Sequence, residues 1–384
     1  MEFTNELTLG VIATSNKVDE QRLPIHPSHF ERIDERFRDR ITVESGYGVA
    51  CGMDDEDLAP FVGKFATREE VMAGSDIVLL PKPQASDLAQ MHEGQTLWGW
   101  PHCVQDTALT QLAIDKKLNI IAFEAMNHWG TDGSFGLHVF HKNNELAGYS
   151  SVIHALQLCG NTGDYGRRLS ATVIGFGATA RGAVTALRAH GIHDVRVLTG
   201  RSVAAVASPI HAVQMVQFDH DGGPNLSEVI TDEGRLPLAP FLAESDIVVN
   251  CTLQDPNAPL MYLQTEDLTA FYPGSLIIDV SCDEGMGFEW AKPTTFANPM
   301  FTVGRNVNYY AVDHSPSYLW NSASWEISEA LLPFLDVVLD GPAAWKENET
   351  IARAIEIRDG VIVNPAILEF QNRTAAYPHL INAG

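Results

Sequence analysis

The alternation of apolar and polar positions along the chain predicts a fold in which strands and helices follow one another. Short apolar runs are separated by helical patterns or polar loops, as is typical of α/β proteins. In the first part of the chain, the runs that we predict as strands are residues 7–14, 41–44, 76–80, 96–100 and 119–123. In the second part they are residues 171–174, 195–198, 246–250 and 275–280, whose spacing predicts βα units and a parallel sheet.

Two helical patterns flank the second series of strands. Residues 146–158 have helical periodicity and stop at a glycine, so we expect this helix to lead into the second part of the chain. Residues 317–339 form a long helical pattern that would return the chain to the first part. Residues 355–363 then predict two short strands around an Asp-Gly turn.

The clearest chemical signal is the stretch S-A-T-V-I-G-F-G-A-T-A-R at residues 170–181. A strand, a glycine turn and a helix in this order are the context in which G-x-G-x-x-A binds a dinucleotide, although an ordinary βα turn is the alternative. The first glycine allows a tight turn, and the second lets the backbone approach a pyrophosphate. The helix N-terminus then faces the anion with its free N–H groups. The nucleotide contacts predicted here are Gly175, Gly177, Ala178, Thr179 and Ala180.

The end of the following strand favours NADP(H). An NAD site usually has an acidic residue about 20 residues after the glycines, where it binds the ribose hydroxyl groups. Here the chain has Thr199, Arg201 and Ser202 and no carboxylate. A guanidinium and two hydroxyl groups can surround a 2′-phosphate, whereas a solvated loop arginine is the alternative. We therefore predict NADP as the cofactor, with NADPH preferred and NAD as the second choice.

Charge and composition narrow the range of partners. The 384 residues carry a formal net charge of −24 without any block of Lys or Arg, which disfavours nucleic acid and anionic membranes. The five cysteines are scattered and form no C-x-x-C pair, as is typical of a cytosolic protein with free thiols. We therefore expect a cytoplasmic protein with small-molecule substrates, no nucleic acid or membrane partner, and no metal site.

Several reactive side chains follow predicted strand ends, where ligands of open α/β sheets gather. Each has a structural alternative: Lys82 as a solvated loop residue, His102 as a capping or core histidine, and Asp283 as part of a polar turn. The residues in this position are Arg22, Lys82, His102, Glu124, Asp283 and Glu284.

In their order along the chain, these segments resemble the alanine dehydrogenase and transhydrogenase N-terminal family over nearly the full length. The segments are R-L-P-I-H-P at 22–27, G-Q-T-L-W-G-W-P-H at 94–102, N-E-L-A-G-Y at 144–149, the glycine loop, I-I-D-V-S-C-D-E-G at 277–285 and Y-Y-A-V-D-H-S-P-S at 309–317. The G-W-x-H and A-G-Y pieces and the arginine after the second nucleotide-domain strand resemble carboxyethylornithine synthases, which are opine-type enzymes, more than alanine dehydrogenases.

The resemblance implies an architecture. It implies two Rossmann-like α/β domains with parallel sheets, in which a dinucleotide-binding domain is inserted into a discontinuous substrate domain and two helices link them. The boundaries that we expect are 1–145 and 317–384 for the substrate domain, and 146–316 for the dinucleotide-binding domain. It also implies a homo-oligomer.

Site residues carry over from the family position by position. Arg22 and Lys82 match the basic pair that holds the carboxylate and carbonyl of a 2-oxo acid. His102 matches the histidine that hydrogen-bonds the substrate at the reacting carbon. Asp283 matches the acidic residue at the nicotinamide end, which makes Lys82, His102 and Asp283 the expected catalytic residues.

Other positions complete or depart from the pattern. Cys251 is an expected cofactor contact. His314 stands where the family usually has an asparagine beside the substrate, and we expect it to contact substrate. Asn144 stands where alanine dehydrogenases have a serine near the cofactor.

The function that these features imply is an NADPH-dependent oxidoreductase that condenses pyruvate with the side-chain amino group of ornithine, or lysine, through an imine. The alternatives are an alanine dehydrogenase that uses ammonia and a non-catalytic nucleotide-binding module. An amino-acid amine brings a second carboxylate and a second ammonium, which need additional polar partners. The candidates for these partners are Asn143, Asn144, Glu145, Glu284, Asp313 and His314.

Overall fold

The computed structural model of the chain describes residues 6–13, 15–200, 210–219, 227–232, 234–254 and 259–382. The chain divides into two compact units. Unit 1 comprises Met1–His141 and Trp320–Gly384, and unit 2 comprises Lys142–Leu319. The boundaries expected from the sequence, after residues 145 and 316, lie within four residues of these positions.

The strands of the described residues are numbered β1 to β21 in chain order. They are Leu9–Val11, Ile41–Glu44, Lys64–Ala66, Ile77–Leu79, Thr96–Gly99, Asn119–Ala122, Asn127–Trp129, Phe135–His138, Ser170–Ile174, Asp194–Thr199, Gln214–Asp219, Glu228–Thr231, Gly234–Pro237, Ile247–Asn250, Met261–Leu263, Leu276–Asp279, Gly287–Phe288, Met300–Val303, Val307–Tyr310, Ile355–Arg358 and Val361–Ile362.

The α-helices are numbered α1 to α13 in the same way. They are Glu35–Arg38, Asp55–Leu58, Arg68–Gly74, Ala85–Leu88, Thr107–Asp115, His141–Cys159, Ala178–Ala189, Leu238–Ala243, Trp320–Leu331, Leu335–Leu339, Pro342–Glu347, Glu349–Ala354 and Pro365–Phe370. Short 3-10 helices lie at Pro27–Arg32, Val49–Cys51, Ala59–Phe61, Phe123–Ala125, Thr265–Ala270, Ser315–Leu319 and Leu332–Phe334.

Unit 1 is built on an eight-stranded sheet in the order β21-β20-β6-β5-β4-β1-β2-β3. The strands from β6 to β3 are parallel, and β20 joins β6 in the antiparallel direction. Along β4, Ile77 and Leu79 face one apolar cluster while Val78 faces another, so both faces of the sheet are covered. A sheet buried on both faces requires continuous apolar runs, which is the pattern that identified these strands in the sequence.

Unit 2 has a nine-stranded sheet in the order β13-β12-β11-β10-β9-β14-β16-β19-β18. The six strands from β11 to β19 are parallel, and antiparallel strands lie at both edges. The two large sheets confirm the expected α/β class and its Rossmann-like architecture. The sequence did not predict the β12–β13 hairpin, because its outer strand is exposed along its whole length and has no apolar run.

The predicted helix at 317–339 is interrupted. The chain forms a 3-10 helix at Ser315–Leu319, then α9, a 3-10 turn at Leu332–Phe334 and α10. Pro333 lies in that turn, and proline has no N–H for an internal helical bond and clashes with the preceding turn. The other predicted helix, at 146–158, is longer than expected and begins at His141.

Two glycines allow close contact between α6 and α7 in unit 2. A Cβ atom on Gly148 would lie 2.0 Å from the backbone oxygen of Thr179, and one on Gly182 would lie 1.7 Å from that of Glu145. Any larger residue would therefore force the two backbones apart. This contact holds the first turns of α7, which follow directly from the glycine loop.

Candidate active site

Four adjacent parallel strands of unit 1 lead into loops with the candidate side chains of this unit. In sheet order these strands are β6, β5, β4 and β1. Glu124 follows β6, His102 follows β5, and Lys82 follows β4, while Arg22 lies in the longer segment after β1. Since parallel strands end at the same edge of a sheet, the fold places all four at the edge where α/β proteins bind ligands.

Lys82 and His102 are in direct contact. The Nζ atom of Lys82 lies 2.5 Å from Nε2 of His102. An ammonium group can only donate, so Nε2 accepts and the ring proton lies on Nδ1. His102 has a backbone φ of +49°, a left-handed conformation that costs energy for a non-glycine residue and is often kept at functional sites.

Glu124 fixes the strained backbone at His102. Its Oε1 atom accepts a hydrogen bond of 2.8 Å from the backbone N–H of His102 and lies 3.9 Å from Nδ1 of the same residue. The Glu124 carboxyl group therefore contacts the histidine at its backbone and lies near one ring nitrogen, while the Lys82 ammonium lies at the other. This arrangement orients the ring for proton transfer through the Lys82 side.

Arg22 is buried and held by Glu20. The Nε atom of Arg22 donates to Oε1 of Glu20 at 2.8 Å, and a terminal nitrogen donates to Oε2 at 2.5 Å. The guanidinium carbon also lies 5.6 Å from the centre of the Trp100 ring, two residues before His102. Because both bidentate pairing and the aromatic ring restrict the guanidinium, Arg22 is a pre-oriented cation suited to a carboxylate ligand.

Glu356 provides a second buried carboxyl group, close to that of Glu124. Burial, followed by the charge of Glu356 on β20, raises the pKa of Glu124 to about 8. Burial likewise raises the pKa of Glu356, although Asn364 donates to its Oε1 at 3.0 Å. One oxygen of each carboxyl group, Oε2, is buried without a hydrogen-bond partner among the described residues. The two groups therefore retain protons in a pH range in which exposed carboxyl groups have lost them.

Replacing Glu356 with glutamine should reduce the loss of stability between pH 5 and pH 8. Both carboxyl groups have raised pKa values in the folded state, so the native protein binds more protons than the unfolded chain and stability falls as pH rises through this window. The change removes one of the two groups and lowers the pKa of Glu124, and a tenfold change in that acid constant corresponds to about 1.4 kcal/mol. Urea denaturation at both pH values measures the difference.

The exposed Glu369, on α13, provides the control. Its replacement with glutamine should leave the pH dependence of unfolding as it is in the parent protein. An unchanged pH dependence in Glu356→Gln would show that the two buried carboxyl groups do not retain protons together.

The glycine loop of unit 2 fits a dinucleotide. Gly175 has a φ of +111°, and a Cβ atom there would lie 2.9 Å from the backbone oxygen of Cys251. Apart from its chain neighbours and its own helix, no described residue has an atom within 4 Å of the position that a Cβ atom on Gly177 would take, so there the backbone is open to a ligand. Helix α7 begins at Ala178 without a side-chain cap, which leaves its first N–H groups available to an anion.

The other expected cofactor contacts lie along the same edge of the sheet. Thr199 ends β10 and is buried, and Cys251 directly follows β14, where its N–H donates to Ile174 at 2.8 Å. Burial raises the pKa of the Cys251 thiol, which is consistent with an inert side chain that packs beside the loop. Arg201 and Ser202 lie outside the described residues.

A buried acid shapes the loop that carries Asp283. Asp279, the last residue of β16, accepts hydrogen bonds from Asn250, from the hydroxyl group of Tyr309 at 2.7 Å, and from the backbone N–H of Cys282. Cys282 has a φ of +47°, so the bond to Asp279 secures a strained turn. Burial raises the pKa of Asp279 to about 6 and also raises the pKa of Asp283.

The expected partners of the second substrate are distributed over unit 2. Asn143 and Asn144 lie inside the first turns of α6, not before the helix, because α6 begins at His141. Glu145 is paired with Lys142 at 2.8 Å, and Glu284 is exposed in the loop after β16. His314 is buried after β19, with its Nδ1 atom 2.6 Å from Oδ1 of Asp313.

Sequence reasoning missed the residues that support the candidate groups. Glu356 occupies the middle of an apolar strand, and Asp279 ends one, so an acid within a buried run was the available signal. Glu20 gives no such signal, because it lies in a polar turn. Glu356 and Asp279 interact mostly with residues that are distant along the chain. Such contacts cannot be located before the fold is known.

Family comparisons cover most of the chain. Residues 11–147 match the model described as alanine dehydrogenase/PNT, N-terminal domain, and residues 168–365 match that of the C-terminal domain. An alanine dehydrogenase of Halomonas elongata is 27% identical over 92% of this chain and 94% of its own length. An N(5)-(carboxyethyl)ornithine synthase of Clostridium botulinum is 24% identical over 82% of this chain and 90% of its own length.

Solved structures agree at the level of fold. An L-alanine dehydrogenase aligns with a TM-score of 0.76 at 18% identity, covering 95% of this chain and 99% of that one. A transhydrogenase from Sinorhizobium meliloti aligns with a TM-score of 0.68 at 19% identity, covering 94% and 99%. Among the described residues, no helix combines the length and apolar character needed to cross a membrane. The chain thus belongs to the alanine dehydrogenase/PNT family and is an NAD(P)-dependent oxidoreductase.

Proposed function

We propose that this protein uses NADPH to condense pyruvate reductively with the side-chain amino group of ornithine, or of lysine. The observation that carries the proposal is the contact between Lys82 and His102 at a strand-end edge that also holds the buried cation Arg22. Two cations and an oriented imidazole are the groups that a 2-oxo acid requires. A pure nucleotide-binding module has no use for them.

The side chains of unit 1 have distinct roles in this proposal. Arg22, whose plane Glu20 fixes, binds the carboxylate of the oxo acid. Lys82 donates to the carbonyl oxygen and makes the carbonyl carbon more electrophilic. Nε2 of His102 takes a proton from the Lys82 ammonium and passes it to the hydroxyl group of the carbinolamine, which leaves as water so that the imine forms.

The side chains of unit 2 serve the cofactor end. When bound, the nicotinamide cofactor supplies the hydride that reduces the imine. The glycine loop and the first turn of α7 would hold its pyrophosphate, and Asp283 would lie at the nicotinamide. The network of Asp279, Asn250 and Tyr309 keeps the Asp283 loop in position, which limits the reorganisation needed during the reaction.

The amine decides between two related reactions. The relative from Clostridium botulinum is named a carboxyethylornithine synthase, and the sequence pieces around His102 and α6 resemble that group. The relative from Halomonas elongata is named an alanine dehydrogenase and is somewhat more similar, which keeps ammonia as the second candidate.

Identification of products by mass distinguishes the two. The protein is incubated with NADPH and pyruvate, and with ornithine, lysine, arginine or ammonium in turn. We expect an N-(1-carboxyethyl) amino acid with ornithine and slower formation of its homologue with lysine. Rapid oxidation with ammonium alone, with alanine as the product, would identify an alanine dehydrogenase instead.

Arg201 should determine the preference for NADPH. In Arg201→Ala, kcat/KM for NADPH should fall roughly tenfold to a hundredfold, since a phosphate–guanidinium contact contributes about 1.5–3 kcal/mol. The value for NADH should change little. Exposed Arg188 near the end of α7 gives the control variant Arg188→Ala. Equal use of both cofactors by the parent protein would refute the preference.

A further inference from the structure

The two cations proposed to bind the oxo acid lie on separate segments of unit 1. Lys82 follows β4, and Arg22 lies in the segment after β1. Strands β1 and β4 are neighbours in the sheet and run in parallel, so these segments leave the sheet side by side. The distance between the two cations therefore depends on what joins the segments beyond the strand ends.

The side chain of Asp87, on α4, makes this connection. Its Oδ2 atom accepts a hydrogen bond of 3.3 Å from the backbone N–H of Asn16, in the segment after β1. The same oxygen accepts a hydrogen bond of 2.7 Å from the backbone N–H of Gln84, two residues after Lys82. Asp87 is fully buried, so water does not compete for either bond.

Arg68, the first residue of α3, holds this carboxylate. Its Nη2 atom donates to Oδ1 of Asp87 at 2.6 Å, and its Nη1 atom lies 3.6 Å from Oε2 of Glu44. That oxygen of Glu44, at the end of β2, accepts a hydrogen bond of 2.7 Å from the backbone N–H of Ala13. One guanidinium therefore orients two carboxylates, and each of them anchors the backbone of the segment after β1.

A short turn connects this anchor to Arg22. Lys17 directly follows Asn16, and its backbone oxygen accepts a hydrogen bond of 3.2 Å from the backbone N–H of Glu20. The Glu20 carboxylate in turn accepts from the backbone N–H of Arg22 at 3.0 Å and from its Nε atom at 2.8 Å. A displacement of the backbone at Asn16 would therefore also displace the guanidinium of Arg22.

Lys82 is restrained on both sides. It lies between Pro81 and Pro83, whose rings fix the backbone angle φ. The backbone oxygen of Pro81 accepts a hydrogen bond of 2.8 Å from the backbone N–H of Trp100, while Asp87 holds the chain just beyond Pro83. Release of the Asp87 contact would free one end of this short segment.

We propose that Arg68 and Asp87 are positioning residues, which set the spacing between the two cations that bind the oxo acid. This inference rests on the roles given to Arg22 and Lys82 in the proposed function. A ligand that carries a carboxylate and an adjacent carbonyl group contacts both cations, so its binding depends on their spacing. A ligand that carries a carboxylate alone requires only Arg22.

The test compares two inhibitors of pyruvate turnover in Arg68→Ala and in the parent protein, with the amine that the parent uses. Oxamate has a carboxylate beside a carbonyl group, whereas propionate has a carboxylate alone. In Arg68→Ala, the inhibition constant of oxamate and KM for pyruvate should rise roughly tenfold to a hundredfold, because the two cations are no longer held at the required spacing. The inhibition constant of propionate should change little.

Two milder variants extend the test. Arg68→Lys should recover part of the affinity for oxamate, since an ammonium can pair with Asp87 but has no planar fork to orient two carboxylates. Asp87→Asn retains an oxygen for the backbone N–H groups and loses the charge that pairs with Arg68, so it should show a smaller, equally selective loss. In the double variant of Arg68→Ala with Asp87→Asn the losses should not add, because both changes remove one contact.

Controls separate positioning from stability. Arg36→Ala, at an exposed arginine of unit 1 that pairs with the exposed Asp34, should behave as the parent protein. Urea denaturation shows which variants are folded, and NADPH affinity should stay at the parental value in each folded variant. Loss of stability with an unchanged ratio of the two inhibition constants would show that Arg68 and Asp87 only stabilise the fold, and an equal rise for both inhibitors would likewise refute the inference.

The amine substrate distinguishes failure of the inference from failure of the proposed function. A parent protein that uses ammonium instead of an amino-acid amine would refute the proposed function and leave this inference standing, since both reactions use pyruvate. A parent protein that does not turn over pyruvate with any amine would refute both.

Discussion

Replacement of His102 with alanine is expected to lower kcat by roughly a hundredfold or more, as is Asp283→Ala. His102 has a fixed tautomer, because Lys82 occupies Nε2 at 2.5 Å and Glu124 holds the backbone of the same residue at 2.8 Å. Removal of the imidazole takes away the group that passes a proton to the departing hydroxyl group. Steady-state rates with saturating pyruvate, amine and NADPH measure the effect.

The neighbouring cations should respond differently. Arg22→Ala and Lys82→Ala should mainly raise KM for the oxo acid, because they bind its carboxylate and carbonyl groups. NADPH binding should survive replacement of Arg22, Lys82 or His102, whereas Asp283 lies at the proposed nicotinamide end. His92→Ala, at an exposed histidine of unit 1, is the matched control. Near-parental kcat in both His102→Ala and Asp283→Ala would overturn these assignments.

Gly182→Ala should destabilise unit 2 by about 3 kcal/mol, the upper end of the usual cost of overpacking. The added methyl group would lie 1.7 Å from the backbone oxygen of Glu145, and backbone cannot rotate out of the way as a side chain can. Either α6 and α7 separate or one of them bends, and both changes displace the start of α7. Urea denaturation and NADPH titration should therefore show a loss of stability and of affinity together.

Gly177→Ala should have a different effect, a loss of NADPH affinity without a loss of stability. Apart from the chain neighbours and its own helix, no residue in the part of the chain that the structure describes lies within 4 Å of the new methyl group, so stability should stay within about 0.5 kcal/mol of the parent value. The methyl group would fill the space proposed for the pyrophosphate, so NADPH affinity should fall on its own. If Gly182→Ala unfolds with the same urea midpoint as the parent protein, α6 and α7 adapt to the added methyl group more easily than the structure indicates.

Most of the fold was accessible from the sequence because its central strands are buried on both faces. Continuous apolar runs such as Ile247–Asn250 can only be satisfied inside a covered parallel sheet, and they stand out from the polar loops around them. Edge strands lack this signal. The β12–β13 hairpin pairs its backbone at the margin of the sheet, and its exposed side chains are compatible with a loop.

Only part of the candidate site could be predicted from the sequence, because only some of its residues follow apolar runs. Arg22, Lys82 and His102 follow apolar runs, so strand prediction also located these side chains at one edge. Their electrostatic environment was not accessible, because Glu356 approaches from a strand more than 200 residues beyond Glu124. A pKa depends on distances through space, and these become known only when the packing of the strands is known.

The discontinuous chain of unit 1 has a consequence for biosynthesis. Strand β20 covers the edge of β6 through the pairs Ile355↔Ile121 and Ile357↔Ile120, yet all of unit 2 is translated between these two strands. Unit 2 can therefore fold on the ribosome as a contiguous segment, while the first 141 residues wait with an unpaired apolar edge strand. Nascent unit 1 thus exposes the edge of β6 until β20 has been synthesised.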